Sequence, residues 1–263
     1  YLRDKEMLLV LDNFEQLTDS AVFLPELLAY ALRLKLLVTS RERLHLSVEW
    51  LVPLEGLDVP AAPEPPISEA PLAPEALEAL ATYSAIELFA HAARRVQPTF
   101  ALTSASGPLV ARICRLLDGF PLALELAAGW VRLLPLSEIL ADLERSTALL
   151  ATTLGDVPQR HRSMDAVFDH SWSLLTPREQ SLLRQLSVFR GGFTRDGAHE
   201  VAAASITDLA ALADKSWLRT SASGRYDMHE LVRQYCEQKL LAEHAGAREE
   251  LPEAVYRRFC TFI

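Results

Sequence analysis

Met7 to Leu11 are five apolar residues in a row, closed by Asp12 and Asn13. An apolar run of that length ending in an acid is the pattern of a strand buried on both faces of a parallel sheet. Behind Thr18-Asp19-Ser20, a run of N-cap residues, apolar positions recur at Val22, Phe23, Leu27, Leu28, Ala31 and Leu32, which predicts a helix to about Arg33. Lys35 to Thr39 is a second short apolar run. Strand, helix and strand in so short a span make one right-handed crossover unit of a parallel α/β sheet. Trp50 to Leu57, apolar at Leu51, Val52, Leu54 and Leu57, is a candidate for a further strand.

The pattern changes at Pro60. Six prolines between Pro60 and Pro74 exclude a helix or a central strand there and predict a linker or surface loop. Helical periodicity follows. Ser84 with Glu87 reads as a capping box opening an amphipathic helix to Val96. Further helices are expected over Ser106–Leu117, stopped by Asp118-Gly119, over Leu122–Leu134 behind Pro121, and over Ser137 to about Leu150. After a shorter break at Thr152–Pro158 come helices over Arg162–Leu174, Pro177–Leu186 (capped by Thr176 with Glu179), Thr194–Ala204 and Ile206–Lys215. Two short strands around Ser223-Gly224 read as a hairpin, and helices are expected over His229 to about Glu243 and from Leu251. Helices followed by a hairpin make a winged-helix arrangement. The fold class expected is therefore predominantly α: an α/β remnant of a parallel, phosphate-loop-type sheet, an all-helical bundle and a winged helix. The boundaries expected are 1–59, a linker at 60–83, a bundle at 84–158, a winged helix at 159–242 and the start of a further helical region at 243–263.

Composition adds limits. The chain has 263 residues, half of them hydrophobic, enough for two domains or more. No run approaches the length of a membrane span and no signal-peptide pattern opens the chain, so a cytoplasmic protein is expected. Tyr1 lies within a few residues of a core strand, with no initiator Met, and the chain is expected to be a piece of something longer. Cys114, Cys236 and Cys260 are odd in number and set in apolar helical surroundings, the pattern of buried small hydrophobes. A formal charge of -9 argues against broad attraction to nucleic acid or anionic membrane.

The chemistry of the first strands follows from their ends. Ligands of parallel sheets bind at the carboxyl ends of the strands. Asp12 stands where a Mg²⁺ carried by a nucleotide phosphate would be met by carboxylate oxygen. Arg41 and Arg43 follow the second strand and emerge at the same edge, where a cation suits the charge of a terminal phosphate.

Four strings in this order, Leu8-Leu9-Val10-Leu11-Asp12-Asn13, Val38-Thr39-Ser40-Arg41, Gly119-Phe120-Pro121-Leu122 and Met228-His229-Glu230, resemble the STAND signal-transduction NTPases with an NB-ARC-type module, of the bacterial kind coupled to transcriptional regulatory or repeat domains. The resemblance spans Met7 to about Leu241. It implies an ATP/ADP-dependent switch that controls self-association, with an effector whose identity it does not give. Asp12 would approach Mg²⁺, and Arg41 would sense the terminal phosphate. Pro121 would set an apolar surface against adenine, and His229 would reach the β-phosphate of ADP and hold the winged helix closed.

The sequence departs from that family in two ways. No Gly-x-x-x-x-Gly-Lys-[Ser/Thr] occurs; the four lysines (Lys5, Lys35, Lys215, Lys239) never follow a glycine, and since the family's phosphate loop lies upstream of the Asp12 strand, an N-terminal truncation that leaves it before Tyr1 is expected rather than a degenerate enzyme. Asn13 stands where hydrolytic relatives often carry a second acid, and an amide cannot take a proton from water. Glu15 is the nearest substitute, and at most a slow ATPase is expected. Two rival functions stand beside the switch: a winged-helix DNA-binding regulator using Ile206–Lys215, and a nucleotide-free helical scaffold. The first has little to offer phosphates or bases, since Asp208 and Asp214 face a single Lys215.

Overall fold

A computed structural model of the chain describes residues 1–61, 73–152, 163–221, 224–242 and 250–262. The described residues form two compact units, Tyr1–Leu54 with Ser205–Asp227, and Glu55–Ala204 with Met228–Ile263. The stretch 159–242, expected as one domain, contributes to both.

In the first unit, β1 (Met7–Leu11) and β2 (Leu34–Val38) pair in parallel, Met7 opposite Leu34 and Leu11 opposite Val38, joined through α1 (Phe23–Tyr30). One face of this two-stranded sheet packs on Phe14, Ala21 and Leu24, with Leu11, Leu36 and Val38 against them. The other face is open: Leu8, Val10 and Leu37 are each more than half exposed. Burial on both faces, expected from the unbroken apolar run, is therefore met on one face only, because α1 and the turns beside it cover a single side. The expected strand at Trp50–Leu57 does not form; these residues are in irregular backbone, with Trp50 and Leu54 over nine-tenths exposed.

The same unit takes in α10 (Ile206–Asp214), opened by a capping box between Ser205 and Asp208, and the hairpin β3 (Arg219–Thr220) with β4 (Tyr226–Asp227). Arg43 N–H donates to the carbonyl of Asp214 at 3.3 Å, and Ser216 Oγ donates to the carbonyl of Arg41 at 3.0 Å. The loop after β2 is thereby fastened to the end of α10.

The second unit is helical: α2 (Pro74–Ala81), α3 (Ser84–Val96), α4 (Ser106–Leu116), α5 (Pro121–Ala128), α6 (Leu136–Leu143), α7 (Met164–Ser173), α8 (Pro177–Leu186), α9 (Arg195–Ala202), α11 (Glu230–Ala242) and α12 (Glu250–Phe262). Helix α2 begins at the last proline of the expected linker, where a proline at the first helical position needs no N–H partner; residues 62–72 of that stretch and the break at 153–158 lie outside the described residues. The core of the first helices is built from Ile86, Phe89, Val110, Ile113, Leu117, Leu124 and Ile139, all almost fully buried. Leu182, Leu183, Leu186, Leu231, Tyr235 and Cys236 form the corresponding apolar interior around α8 and α11. Arg233, 4% exposed, is satisfied there by Glu230, Glu237 and the carbonyl of Ser187.

Two glycines bring α4 and α5 to the chain that enters this unit. Gly119 has φ +64°, and a Cβ there would lie 2.0 Å from the carbonyl oxygen of Leu57; a Cβ on Gly56 would lie 1.9 Å from the carbonyl oxygen of Asp118. No side chain fits either position. Leu57 N–H donates to Gly119 O at 2.8 Å across this contact.

Candidate functional site

The ends of β1 and β2 are zipped together by Thr39. Its N–H donates to Leu11 O at 2.9 Å, its carbonyl accepts from Phe14 N–H at 2.9 Å, and its hydroxyl accepts from Asn13 N–H at 3.1 Å. The same hydroxyl donates to Asp12 Oδ1 in a close contact. Asn13 turns through the left-handed region, φ 54°, a conformation that Asn tolerates better than most residues. The tight turn leaves Asp12 exposed at the carboxyl edge of the sheet, beside the Thr39 hydroxyl. Carboxylate and hydroxyl oxygen are the donors a hard divalent cation takes. Among the described residues no group of three His, Cys, Asp or Glu is placed to hold a metal by itself. Two oxygens are fewer than such a cation takes, and other ligands would have to complete the set.

Arg41 follows on the neighbouring loop, its Nε 3.5 Å from Oε1 of Glu15. Glu15 lies in a 3-10 turn over Phe14–Gln16, and its side chain is only 2% exposed. It is turned inward to Arg41, so the place of substitute proton acceptor considered for it is not matched by its burial. Further along, Thr18 Oγ1 donates to Glu42 at 3.4 Å. Arg43 Nη1 lies 3.2 Å from Asp214 Oδ1, and His45 Nε2 lies 3.8 Å from Asp214 Oδ2. A cavity of about 520 Å³ opens here, lined by Thr18, Glu42, Arg43, His45, Thr207 and Asp214 among others.

In the helical unit, Pro121 is the first residue of α5, with Phe120 as its N-cap, and is exposed. His229 stands just before α11. Its Nδ1 accepts from Leu231 N–H at 3.0 Å, its Nε2 lies 3.7 Å from Asp118 Oδ2, and its ring meets that of Phe120 edge to face at 5.8 Å. Two pairs thus emerge from the expected residues: Asp12 and Arg41 share one sheet edge, and His229 shares the turn that opens Pro121's helix.

Thr39, Asp118 and Phe120 take part in these contacts without having been singled out. Thr39 and Phe120 stood inside the quoted strings. Asp118 had been read as part of a helix stop, and nothing in the sequence links it to His229.

No known protein-family profile matches this chain. It is 36% identical over 253 residues, 91% of its length, to a Mycobacterium tuberculosis protein whose name alone places it among HTH-type transcriptional regulators; the chain spans only 26% of that relative. An uncharacterised protein of the same organism is also 36% identical over 253 residues, and the chain spans 58% of it. Among solved structures, a STAND protein with a tetratricopeptide repeat sensor from Pyrococcus horikoshii is aligned over 99% of this chain and 31% of its own, at 18% identity and a TM-score of 0.33. A likeness at that level carries no weight for fold or function.

Proposed function

We propose that this chain is the core of an ATP/ADP-dependent switch in a regulatory protein of the cytoplasm, acting through self-association. The observation that carries the reading is the convergence of Asp12, Thr39 and Arg41 at the carboxyl ends of two adjacent parallel strands, the place where such sheets receive phosphate ligands. Bound Mg²⁺ would neutralise phosphate charge there; the chain's own part is to offer Asp12 oxygen to the cation and the Arg41 guanidinium to the terminal phosphate. His229, bonded to Leu231 N–H, is the residue that the resemblance offers for the β-phosphate of ADP. Asn13 and the inward Glu15 both favour slow turnover, which suits a switch.

The relatives' name supports a setting in transcriptional regulation. Direct DNA contact through α10 is a weaker reading, because the end of that helix is engaged: Asp214 faces Arg43 and His45. The rest of the helix offers Asp208 and alanines to a polyanion.

The test is a titration of fluorescent ADP against residues 1–263 and against the longest gene product that carries them. With no phosphate loop in its sequence, the chain alone should bind more weakly than micromolar, about -8 kcal/mol, and the longer product more tightly. Absence of binding by the longer product overturns the switch.

A further inference from the structure

The turn that ends α10 holds a residue in an unfavourable backbone state. Ser216 has φ 60°, a left-handed value that L side chains rarely adopt. Its N–H donates to Ala213 O at 3.0 Å and Trp217 N–H donates to Leu212 O at 2.9 Å, the pair of bonds that closes a helix around a left-handed residue, where glycine is the usual occupant. Glycine would make both bonds without strain, so they do not account for a side chain at this position. The hydroxyl does one thing more: it donates to the carbonyl of Arg41, 175 positions away, at 3.0 Å. Beside it, Arg43 N–H donates to Asp214 O at 3.3 Å, and Arg43 Nη1 lies 3.2 Å from Asp214 Oδ1. The end of α10 thus grips the loop after β2 at two points of its main chain. Packing supports that loop only in part: Leu44 and Leu46 lean on the Phe14 core, but no residue from Thr39 to Trp50 is buried, and the cavity of about 520 Å³ lies against Glu42, Arg43 and His45. A segment with few buried contacts keeps its shape through its hydrogen bonds, and the loss of one is felt there.

We propose that Ser216 is a positioning residue for the candidate site: by holding the Arg41 carbonyl, its hydroxyl keeps the loop that leaves β2 in the shape that receives a nucleotide phosphate at the carboxyl edge of the sheet. Arg41 lies two residues beyond Thr39, whose hydroxyl meets Asp12 and Asn13, so a shift of the main chain at Arg41 is passed directly to that edge. Backbone strain persists where the surrounding structure makes use of it. Here the strain falls on the end of α10 and the gain on the loop. The ligand rests on the switch reading, whereas the grip of Ser216 on the loop rests on geometry alone. That grip acts on the main chain and does not depend on the partners of the Arg41 side chain.

Two substitutions separate the hydroxyl from the strain. In nucleotide-free residues 1–263, Ser216→Ala loses the hydroxyl and keeps the positive φ, whereas Ser216→Gly loses the hydroxyl and relieves the strain. The urea midpoint should therefore fall in Ser216→Ala and recover in Ser216→Gly. The Arg43 amide should exchange with solvent about threefold faster in both, the size expected for one exposed hydrogen bond. Arg43 exchange that returns to the wild-type rate in Ser216→Gly, or that changes in neither variant, overturns the grip. In the longest gene product, both variants should weaken binding of ATP with Mg²⁺ about threefold, and bound nucleotide should slow the Arg43 amide of the wild type, since coupling is reciprocal. If Ser216→Ala alone weakens binding, or neither variant does, the residue acts through stability and the positioning role is overturned while the switch survives. A wild type that binds no nucleotide brings down the switch and the positioning role together, and the exchange rates alone then decide whether the hydroxyl holds the loop.

Discussion

His229 Nε2 stands 3.7 Å from a carboxylate oxygen of Asp118, and His229 Nδ1 accepts the N–H of Leu231 at 3.0 Å. A ring nitrogen that accepts a backbone N–H carries no proton, so the neutral ring holds its proton on Nε2, the nitrogen aimed at Asp118. The His229 ring in the native chain is accordingly expected to show the Nε2–H tautomer in ¹⁵N spectra near neutral pH. Asp118→Asn should leave the tautomer unchanged, because Leu231 sets it. A spectrum showing protonated Nδ1 contradicts this assignment.

The α7–α11 contact should make the fold sensitive to acid. Partial burial pushes Asp169 up, but hydrogen bonds from Lys239 Nζ and Tyr235 OH, each 2.7 Å, and the Lys239 charge bring it below its ordinary value. Glu230 is likewise raised by burial and lowered further by its bonds to Arg233 and Gln234. For both groups the folded value lies below the unfolded one, so the stabilisation is fully present above the unfolded values, 3.8 and 4.5, and is lost as pH falls through the depressed values. Urea midpoints should hold steady near neutrality and drop as pH falls below about 5. Tyr235→Phe removes one of the bonds to Asp169 and should flatten that drop, and a slope unaffected by the substitution counts against the assignment.

At Gly119 the steric limit reaches the candidate site, because this residue lies between Asp118 and Phe120, which both face His229. Gly119→Ala must carry a positive φ and a Cβ driven into Leu57. Backbone strain alone costs about 1–3 kcal/mol. Gly129→Ala is the control: its φ is -59° and a Cβ there meets nothing within 4 Å, so it should be neutral or stabilising by about 0.4–1 kcal/mol. Thermal unfolding of the two variants decides it, and equal behaviour would show that the close approach to Leu57 is not tight.

What could be read from the sequence was mostly local. The Thr176–Glu179 capping box and Pro177 at the first helical position form as their spacing implies. Ser84 with Glu87 has the same spacing and forms no box: Tyr83 is the N-cap, and Ser84 Oγ accepts Asp58 N–H at 3.0 Å instead. A tertiary partner outcompeted the local one. Apolar runs located β1 and β2 but could not tell one covered face from two, since that depends on what packs above the sheet. The pairings of Arg43 with Asp214 and of Gln234 with the Leu143 carbonyl join residues 171 and 91 positions apart. No periodicity carries such information. Asp12, Arg41, Pro121 and His229 could be singled out because strand ends and helix starts have local signatures, whereas the acids facing Arg41 and His229 have none.

The switch itself makes the most demanding prediction. A ligand shifts a conformational equilibrium only through contacts that differ between the states. If ADP gains a His229 contact in one state alone, a charge-assisted hydrogen bond of roughly 1.5–3 kcal/mol changes the ratio of states by a factor on the order of 10 to 150. In the longest gene product, His229→Ala should therefore speed ADP release and shift sedimentation toward larger species. Arg41→Ala should spare ADP retention and blunt the response to ATP, because its proposed ligand is the terminal phosphate. The Asp118 neighbour sharpens the comparison: Asp118→Asn removes a carboxylate that competes for His229 Nε2, and it should slow ADP release where His229→Ala speeds it. Opposite signs for the two substitutions are what a phosphate contact requires. If both accelerate release, the turn at Asp118–Phe120 merely supports the fold, and if neither changes it, His229 takes no part in holding ADP.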